Sequence, residues 1–244
     1  MAVMTTRVAS AEHVADNVIQ LRLVKPEGFT WKTGEFARVG LKIEGDEVFR
    51  AYSIGSAPAS ETVDFYIANV TGGILSPKLN QIKTGDSVLI DTEVGGMLLA
   101  DRLEAGGKDL WMFASGTGVS PFLAVLSDES ITSRFERLIL VHGVRTWNET
   151  GYVSRLVKRS PKLTVVACVT REKGAAVNER IPDALADGSL EKLAGITIEK
   201  EHSRVMLSGN PGMVKSVREA MKARGIVSPR GGKPGQLLAE NFWL

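Results

Sequence analysis

The stretch Arg50-Ala51-Tyr52-Ser53 lies in a segment rich in strand-forming residues, and a turn, Gly55-Ser56-Ala57-Pro58, follows it. Because alternate side chains of a strand point to opposite faces, we expect Arg50 and Tyr52 to share one face and Ser53 to lie on the other. The stretch therefore places a cation, a planar ring and a hydroxyl close together. On its own it also fits an ordinary strand with an exposed arginine and a half-buried tyrosine.

These three groups are those that a flavin dinucleotide requires. A guanidinium can bind a pyrophosphate, an aromatic ring can stack on the isoalloxazine, and a short polar group can lie near the reactive flavin nitrogen. The stretch therefore predicts an FAD site, and the rest of the chain decides between that site and a plain strand.

The residues on either side of this stretch read as short strands separated by Gly, Pro and Asp. Several short strands with turn signals between them are typical of an antiparallel barrel or sandwich. The predicted strands are Val18–Val24, Phe36–Ile43, Arg50–Ile54, Val63–Val70 and Ser87–Thr92.

The pattern changes after Gly106-Gly107-Lys108, which we take as a domain boundary. Apolar runs of strand length then alternate with helix-like segments, which indicates βαβ units and a parallel sheet covered by helices. These runs are Leu110–Ala114, Leu138–Val141, Leu163–Val169 and Val205–Leu207. The predicted fold is α+β with two domains: residues 1–105 form an antiparallel β-barrel that binds FAD, and residues 106–244 form an α/β domain with a C-terminal tail.

Three sites place a capping residue directly before a proline: Ser76-Pro77, Ser120-Pro121 and Asn210-Pro211. Ser and Asn are good N-caps and Pro fits the first helical position, so each site predicts the start of a helix. A helix N-terminus can bind an anion, and the glycines near each site would let a ligand approach the main chain. Each site also fits plain capping.

The second of these sites belongs to Gly116-Thr117-Gly118-Val119-Ser120-Pro121, which follows an apolar strand and opens a predicted helix, Phe122–Leu126. A dinucleotide fingerprint requires this strand–turn–helix context. The stretch departs from G-x-G-x-x-G because Pro121 stands where the third glycine belongs.

Composition excludes several functions. The net charge is only +2 and there is no basic run, so nucleic-acid binding is not expected. The single cysteine, Cys168, excludes an intrachain disulfide and a cluster held by four thiolates. His13, His142 and His202 lack metal-ligand spacing, and we expect them to be structural or exposed. No stretch approaches 18 apolar residues, so we expect a cytoplasmic protein that does not bind membranes. Nothing suggests a large exposed apolar face, and a monomer is expected.

Taken together, the motifs resemble the ferredoxin–NADP⁺ reductase superfamily, in particular the bacterial flavodoxin/ferredoxin–NADP⁺ reductases. The resemblance covers nearly the whole chain and implies an FAD-binding barrel, an NADP-binding α/β domain, and electron transfer between NADPH and a ferredoxin or flavodoxin. Its motifs run in order through Arg50–Ser53, Phe65-Tyr66-Ile67, Ile74-Leu75-Ser76-Pro77, Gly116-Thr117-Gly118, Leu140–Arg145, Val169–Glu172, Arg180-Ile181-Pro182, Ser208–Met213 and Glu240–Trp243.

For the flavin, the resemblance implies that Tyr52 stacks on the isoalloxazine and that Ser53 lies near its reactive nitrogen. Arg50 and the helix start at Ser76 would bind the pyrophosphate, and Tyr66 would flank the FAD. Thr117 would lie beside the flavin. The remaining implied FAD contacts are Ala51, Ile67, Ala68, Ile74, Leu75 and Gly116.

For the nicotinamide cofactor, Arg145, Arg171 and Arg180 match the positions that hold the adenosine 2′-phosphate. A phosphate dianion favours guanidiniums, whereas the ribose of NAD usually favours an acidic residue at a strand end. The alternative for these arginines is surface salt-bridging. The other implied NADP contacts are Val144, Thr170, Asn210, Pro211, Gly212 and Met213.

The resemblance implies four residues at the reacting centre: Tyr52, Ser53, Ser208 and Glu240. Many family members carry cysteine where this chain has Ser208, and Glu240 is the only candidate for proton handling. The tail, Phe242-Trp243-Leu244, departs from the Tyr-Trp ending of the bacterial pattern. Trp243 could stack at the flavin or pack on the surface.

Two other functions remain open at this point. One is the reductase component of an oxygenase system, although such chains often carry a fused iron–sulfur domain that the single cysteine excludes here. The other is a flavin-bound sensor or interaction module without turnover, which would need no arginines for a 2′-phosphate.

Overall fold

The computed structural model describes residues 2–153 and 160–242. They divide into two compact units: the first comprises the residues up to Gly96 together with Ser120–Asp128, and the second comprises Met97–Val119 and the residues from Glu129 onward. The boundary between residues 105 and 106 stays a prediction.

The first unit contains a six-stranded antiparallel sheet with the strand order β4-β3-β6-β1-β2-β5. The amide of Gly55, just after β4, donates to the carbonyl of Asp64 in β5 at 2.7 Å, so the two edges of the sheet approach each other as in a barrel. The strands are β1 Val3–Ala15, β2 Val18–Val24, β3 Phe36–Ile43, β4 Asp46–Ser53, β5 Thr62–Ala68 and β6 Ser87–Asp91, and the helices are α1 Ser76–Leu79 and α2 Ser120–Ser127.

Strand β5 shows how the barrel separates its two faces. Val63, Phe65 and Ile67 are buried and join the core of this unit. The alternate residues, which include Tyr66 and Ala68, are only partly buried. This alternation leaves the Tyr66 face of β5 available for a ligand.

Strand β1 is the one barrel strand that the sequence did not predict. It has 13 residues, of which only Thr6, Val8 and Ala15 are buried. Its pairing with β2 shifts register between Val8 and Ser10 and again between His13 and Ala15. The register shifts and the small number of buried side chains weaken the alternation by which a strand is recognised.

The second unit contains a five-stranded parallel sheet with the strand order β11-β10-β7-β8-β9, as the βαβ pattern predicts. No described helix is long and apolar enough to cross a membrane. The strands are β7 Asp109–Ser115, β8 Arg137–Val144, β9 Leu163–Val169, β10 Ser203–Gly209 and β11 Leu237–Asn241; the helices are α3 Glu129–Thr132, α4 Ile181–Ala186, α5 Ser189–Ala194 and α6 Pro211–Ala223, and 3₁₀ turns occupy Ala100–Arg102, Gly116–Val119 and Trp147–Thr150.

One face of this sheet packs on the helices. Trp111 and Phe113 of β7 stack with ring centroids 5.8 Å apart. They belong to the same buried cluster as Ile181 of α4 and Val214 and Val217 of α6. Burial on this face orients the opposite side chains of each strand, which form part of the site described below.

Only one of the three predicted N-caps is present. Asn210 caps α6, because its Oδ1 accepts from the amides of Gly212 (2.9 Å) and Met213 (3.2 Å). Ser76 is not an N-cap: the preceding Leu75 already has helical dihedrals, and the Ser76 Oγ accepts instead from the amide of Val70 at 3.1 Å.

Ser120 is not an N-cap either. The 3₁₀ turn Gly116–Val119 leads directly into α2 at Ser120, so the chain is already helical before this residue. A capping residue needs a non-helical backbone conformation, which a Ser-Pro pair alone does not guarantee.

Candidate cofactor sites

Strand β4 brings together the cation, ring and hydroxyl that the sequence predicts. Arg50 and Ala51 are exposed, Tyr52 is half-buried and Ser53 is buried. Arg50 donates from its guanidinium to the carbonyl of Phe49 at 2.7 Å. Burial raises the pKa of Tyr52 to about 12 against the opposing effect of the Arg50 charge, so its phenol is neutral at physiological pH.

The Ser53 hydroxyl has no hydrogen-bond partner among the described residues although its Oγ is buried. Leaving a buried hydroxyl unpaired costs about 1–3 kcal/mol, so native proteins rarely do so without a reason. A polar ligand atom at this position would remove the cost.

Tyr66 of β5 lies directly on the main chain that follows β4. A Cβ added at Gly55 would be 2.8 Å from Cε2 of the Tyr66 ring, so only glycine leaves room for the ring. The Tyr66 hydroxyl accepts from Nε2 of Gln20 at 3.0 Å. Ala68 shares the Tyr66 face, whereas the side chain of Ile67 lies in the core and only its main chain could contact a ligand.

The loop before α1 presents main-chain donors. Ile74 is exposed and Leu75 is buried, and the carbonyl of Val70 accepts from the amide of Gly73 at 2.9 Å. The amides of Ile74, Leu75 and Ser76 donate to no other residue in the described part of the chain. Together with Arg50, Tyr52 and Ser53, these amides form the donor set that an FAD pyrophosphate and isoalloxazine need.

In the second unit, the turn after β7 packs against the turn after β10. A Cβ at Gly118 would lie 2.5 Å from the carbonyl oxygen of Ser208 and 2.8 Å from the Cα of Gly209. Gly209 has φ +129°, and a Cβ added there would lie 2.9 Å from the carbonyl oxygen of Ser115. The Oγ of Ser115 accepts from the amide of Asn210 at 2.8 Å. Gly118 and Gly209 are therefore required, because the two main chains are in contact. Gly116 and Thr117 belong to the same turn after β7.

Helix α6 begins at the same place. Asn210 and Gly212 are exposed and Pro211 is partly exposed, whereas the Met213 side chain is buried in the core. Amides at the start of a 13-residue helix carry partial positive charge, so this end of α6 can bind an anion.

The three predicted arginines lie past the carboxyl ends of β8 and β9. The amide of Arg171 donates to the carbonyl of Arg145 at 2.9 Å, and Thr170 pairs in the same way with the carbonyl of Val144 at 3.1 Å. Arg180 directly precedes Ile181 of α4, whose side chain lies against Gly143 of β8.

The side chains of these three arginines are exposed. None forms an ion pair within residues 2–153 and 160–242. Exposed guanidiniums without carboxylates can bind a phosphate dianion. Thr170 is also exposed, whereas Val144 is buried and offers only its main chain.

A row of polar side chains crosses the sheet on the face opposite α4, α5 and α6. Ser208 of β10 is in register with Glu240 of β11 and Ala114 of β7, and Ala114 is in register with His142 of β8. Paired residues of neighbouring strands point to the same face. Three buried atoms of this row, Ser208 Oγ, His142 Nδ1 and Glu240 Oε2, have no hydrogen-bond partner among the described residues.

Burial shifts the pKa of both titratable groups of this row toward the uncharged form. It raises the pKa of Glu240 to about 7, although the amide of Met97 donates to Oε1 at 3.3 Å and opposes the shift. It lowers the pKa of His142 to about 4, opposed by the hydrogen bond of Nε2 to the Gly116 carbonyl at 2.9 Å. Since a carbonyl only accepts, Nε2 carries the proton and Nδ1 is an acceptor.

The sequence did not predict His142, Ser115 or Gly55 as site residues. His142 was expected to be structural or exposed, and only the strand register shows that it joins Ser208 and Glu240. The amide of Phe242 donates to the carbonyl of Gly209 at 2.8 Å, which connects the C-terminal segment to the end of β10. Trp243 lies outside the described residues.

Comparisons with known proteins agree with this arrangement. Residues 5–97 match the family model described as an oxidoreductase FAD-binding domain, and residues 112–219 match the one described as an oxidoreductase NAD-binding domain. The chain is 33% identical to a ferredoxin–NADP reductase of Pseudomonas aeruginosa, over 98% of this chain and 97% of that protein.

Two further comparisons cover nearly the whole chain. Identity is 34% to a flavodoxin/ferredoxin–NADP reductase of Escherichia coli, over 98% of both proteins. The crystal structure of a ferredoxin NADP⁺ reductase from Neisseria gonorrhoeae with bound FAD and NADP superposes with a TM-score of 0.93 at 30% identity, over 99% of each chain. With both domains matched in order and relatives of this identity along its length, the chain belongs to the ferredoxin–NADP reductase family.

Proposed function

We propose that this protein is a flavoenzyme that transfers electrons between NADPH and a ferredoxin or flavodoxin through bound FAD. Its relatives from Pseudomonas aeruginosa and Escherichia coli are named for this activity, and they match nearly the full length of the chain. The observation that carries the proposal is the buried Ser53 hydroxyl, which has no described partner and lies beside Tyr52 and Arg50 on β4. A flavin would pair with that hydroxyl.

When bound, FAD would supply the redox chemistry, because a flavin can accept two electrons together and release them singly. The chain supplies the binding groups. Tyr52 offers a ring for stacking and Ser53 a hydrogen-bond donor. Arg50 and the amides of residues 74–76 would bind the pyrophosphate, with Tyr66 flanking the cofactor. We assign this role to the predicted domain of residues 1–105.

The predicted domain of residues 106–244 would bind NADPH. Arg145, Arg171 and Arg180 would bind the 2′-phosphate, because they are exposed and have no described carboxylate partner. The start of α6, which carries the partial positive charge of a helix N-terminus, would attract a second anionic group of the dinucleotide.

Ser208 and Glu240 would serve the reacting centre in different ways. The unpartnered Oγ of Ser208 would orient the nicotinamide by a hydrogen bond. Glu240 can hold or release a proton at Oε2 at physiological pH, because its pKa is about 7. Phe242 would cover this end of the site. We further propose that the protein is cytoplasmic and monomeric.

The test of this function begins with cofactor content. Purified protein should carry about one non-covalent FAD per chain, and NADPH should bleach the flavin in stopped-flow absorbance much faster than NADH does. Addition of a ferredoxin or flavodoxin should then allow electron transfer to cytochrome c. A protein without FAD, or with a flavin that NADPH does not reduce, would contradict the proposal.

Ser53 provides a sharper test of the flavin site. Ser53→Ala removes the unpartnered hydroxyl, so the apoprotein should gain stability while the FAD complex loses a hydrogen bond. FAD dissociation, measured by the rise of free-flavin fluorescence on dilution, should become faster. Unchanged FAD release would show that the Ser53 hydroxyl does not contact the cofactor.

A further inference from the structure

Trp147 is the only aromatic side chain that is exposed in residues 2–153 and 160–242, with 42% of its surface accessible. It is two residues from Arg145 and opens the 3₁₀ turn Trp147–Thr150. A large aromatic ring in water is unfavourable, and exposed aromatic residues are common at binding sites. The flavin and nicotinamide sites described above give this ring no role, so its exposure needs another explanation.

Two contacts fix this tryptophan to the neighbouring loop. Its amide donates to Oε2 of Glu172 at 2.5 Å, and its ring Nε1 donates to the carbonyl of Lys173 at 3.4 Å. The loop that carries Glu172 and Lys173 also carries Arg171, whose amide donates to the carbonyl of Arg145. Trp147 and the arginines are therefore held on the same pair of loops, past the ends of β8 and β9.

The groups around the ring suit a base next to a phosphate. Arg145, Arg171 and Lys173 supply positive charge, and the nearby carboxylate of Glu172 is engaged by the amide of Trp147. In a 2′-phosphorylated nucleotide the base and the phosphate are attached to adjacent carbons of one ribose. Guanidiniums that bind the phosphate would hold the base close to these loops, and an anchored indole there offers a π-face for stacking.

We infer that Trp147 is the platform on which the adenine of NADP(H) stacks, and that it contributes to cofactor specificity together with the arginines. The inference rests on the proposed function, since it requires a 2′-phosphorylated nucleotide at these loops. A stacking platform favours purines over pyrimidines, because a purine offers the larger π-face.

The experiment measures nucleotide binding to the FAD-containing protein by isothermal titration calorimetry, without turnover. Adenosine 2′-monophosphate and cytidine 2′-monophosphate are compared on the wild type and on Trp147→Ala. The substitution should weaken adenosine 2′-monophosphate about tenfold and the cytidine nucleotide less. Trp147→Phe, which keeps a ring, should stay within about threefold of the wild type.

Two control variants separate stacking from other effects. Arg171→Ala should weaken both nucleotides by the same factor, because both carry the 2′-phosphate. Leu193→Ala removes another exposed apolar side chain of the second unit and should change neither affinity. Adenosine 2′-monophosphate should also quench tryptophan emission, and Trp147→Phe should abolish this change.

The outcomes distinguish the inference from the function on which it rests. Equal affinity of wild type and Trp147→Ala would make Trp147 a surface or partner-docking residue and overturn the inference. Equal losses for both nucleotides would show that Trp147 holds the loop and does not stack, which also overturns it. A wild type that binds adenosine 2′-monophosphate no better than adenosine 5′-monophosphate would instead overturn the proposed NADP preference.

Discussion

The flavin site and the arginine site of this protein are built in opposite ways. On β4, the groups assigned to the flavin are part of the packed barrel: Tyr52 is half-buried and Ser53 is buried. Past β8 and β9, Arg145 and Arg171 are exposed, and a main-chain hydrogen bond joins them. Substitutions in the first site should therefore change folding stability as well as ligand binding, whereas substitutions in the second should change binding with little effect on stability. This suits one cofactor that stays bound and another that is exchanged in each cycle.

The largest expected effect comes from the packed main chain where the turn after β7 meets the end of β10. Gly118→Ala would place a Cβ 2.5 Å from the Ser208 carbonyl, where neither main chain can move away. We expect it to lower the free energy of unfolding by about 3 kcal/mol, measured by urea denaturation.

Gly116→Ala is the matched control for this substitution. Gly116 has φ +54°, but a Cβ there would meet nothing within 4 Å. Only backbone strain remains, so the loss should be about 1 kcal/mol. Equal losses for the two variants would mean that crowding against Ser208 is not the cause.

A second prediction concerns pH and extends the comparison to the polar row. The folded pKa of Glu240 is raised to about 7, so between its unfolded value and pH 7 the folded state holds a proton that the unfolded state has lost. Stability from this group is present at low pH and lost as pH rises through 7. The wild type should therefore lose about 2 kcal/mol more than Glu240→Gln between pH 5 and pH 8.

Urea denaturation of both proteins across this range is the measurement. The contribution of His142 to stability depends on pH in the opposite way. Its folded pKa is lowered to about 4, so the unfolded state takes up a proton first and stability falls as pH drops below the ordinary pKa of histidine. His142 is present in both proteins, and its contribution cancels in the difference. Parallel stability curves would place Glu240 in contact with water.

A third prediction tests the coupling at the flavin site. Gly55→Ala would place a Cβ 2.8 Å from the Tyr66 ring and displace it. We expect a stability loss of about 1–2 kcal/mol together with faster FAD release, measured by flavin fluorescence after dilution. Gly151→Ala, where a Cβ has open space, should change neither quantity. Lower stability with normal FAD retention would break the proposed coupling.

The smallest effect on stability is expected at the arginine loops. Arg171→Ala should change the free energy of unfolding by less than about 0.5 kcal/mol, because the side chain is exposed and has no ion pair in the described chain. Its KM for NADPH should nevertheless rise about tenfold while that for NADH hardly changes. A clear stability loss, or equal losses with both cofactors, would show that Arg171 is structural.

Sequence patterns predicted the regular parts of this fold well. The bounds of β2 and β3 agree with the prediction, because both strands have a buried face and turns at each end. The prediction failed for β1, whose pairing is irregular, and for β11, which looked like a tail but is a parallel strand beside β10. A short strand that gains its stability from a distant neighbour carries little signal of its own.

The candidate site, like the fold, has some residues that the sequence could predict and others that it could not. Residue type selected Ser53 and the family resemblance selected Ser208 and Glu240, and each has a buried polar atom without a described partner. No spacing in the sequence could place His142 in the row, because that position depends on the register of three strands. Ser76 and Ser120 failed as caps because capping depends on backbone dihedrals, which a Ser-Pro pair does not determine.

The hydrogen bonds between the two arginine loops have a consequence for how such a protein can evolve. The loops are joined through main-chain atoms of Val144, Arg145, Thr170 and Arg171, which every residue type except proline can provide. Substitutions of the exposed arginine side chains therefore leave these hydrogen bonds intact. A lineage could exchange a preference for one dinucleotide for the other through a few single-codon steps, with every intermediate still folded. The barrel site, where Gly55 and Tyr66 must change together, leaves no comparable path.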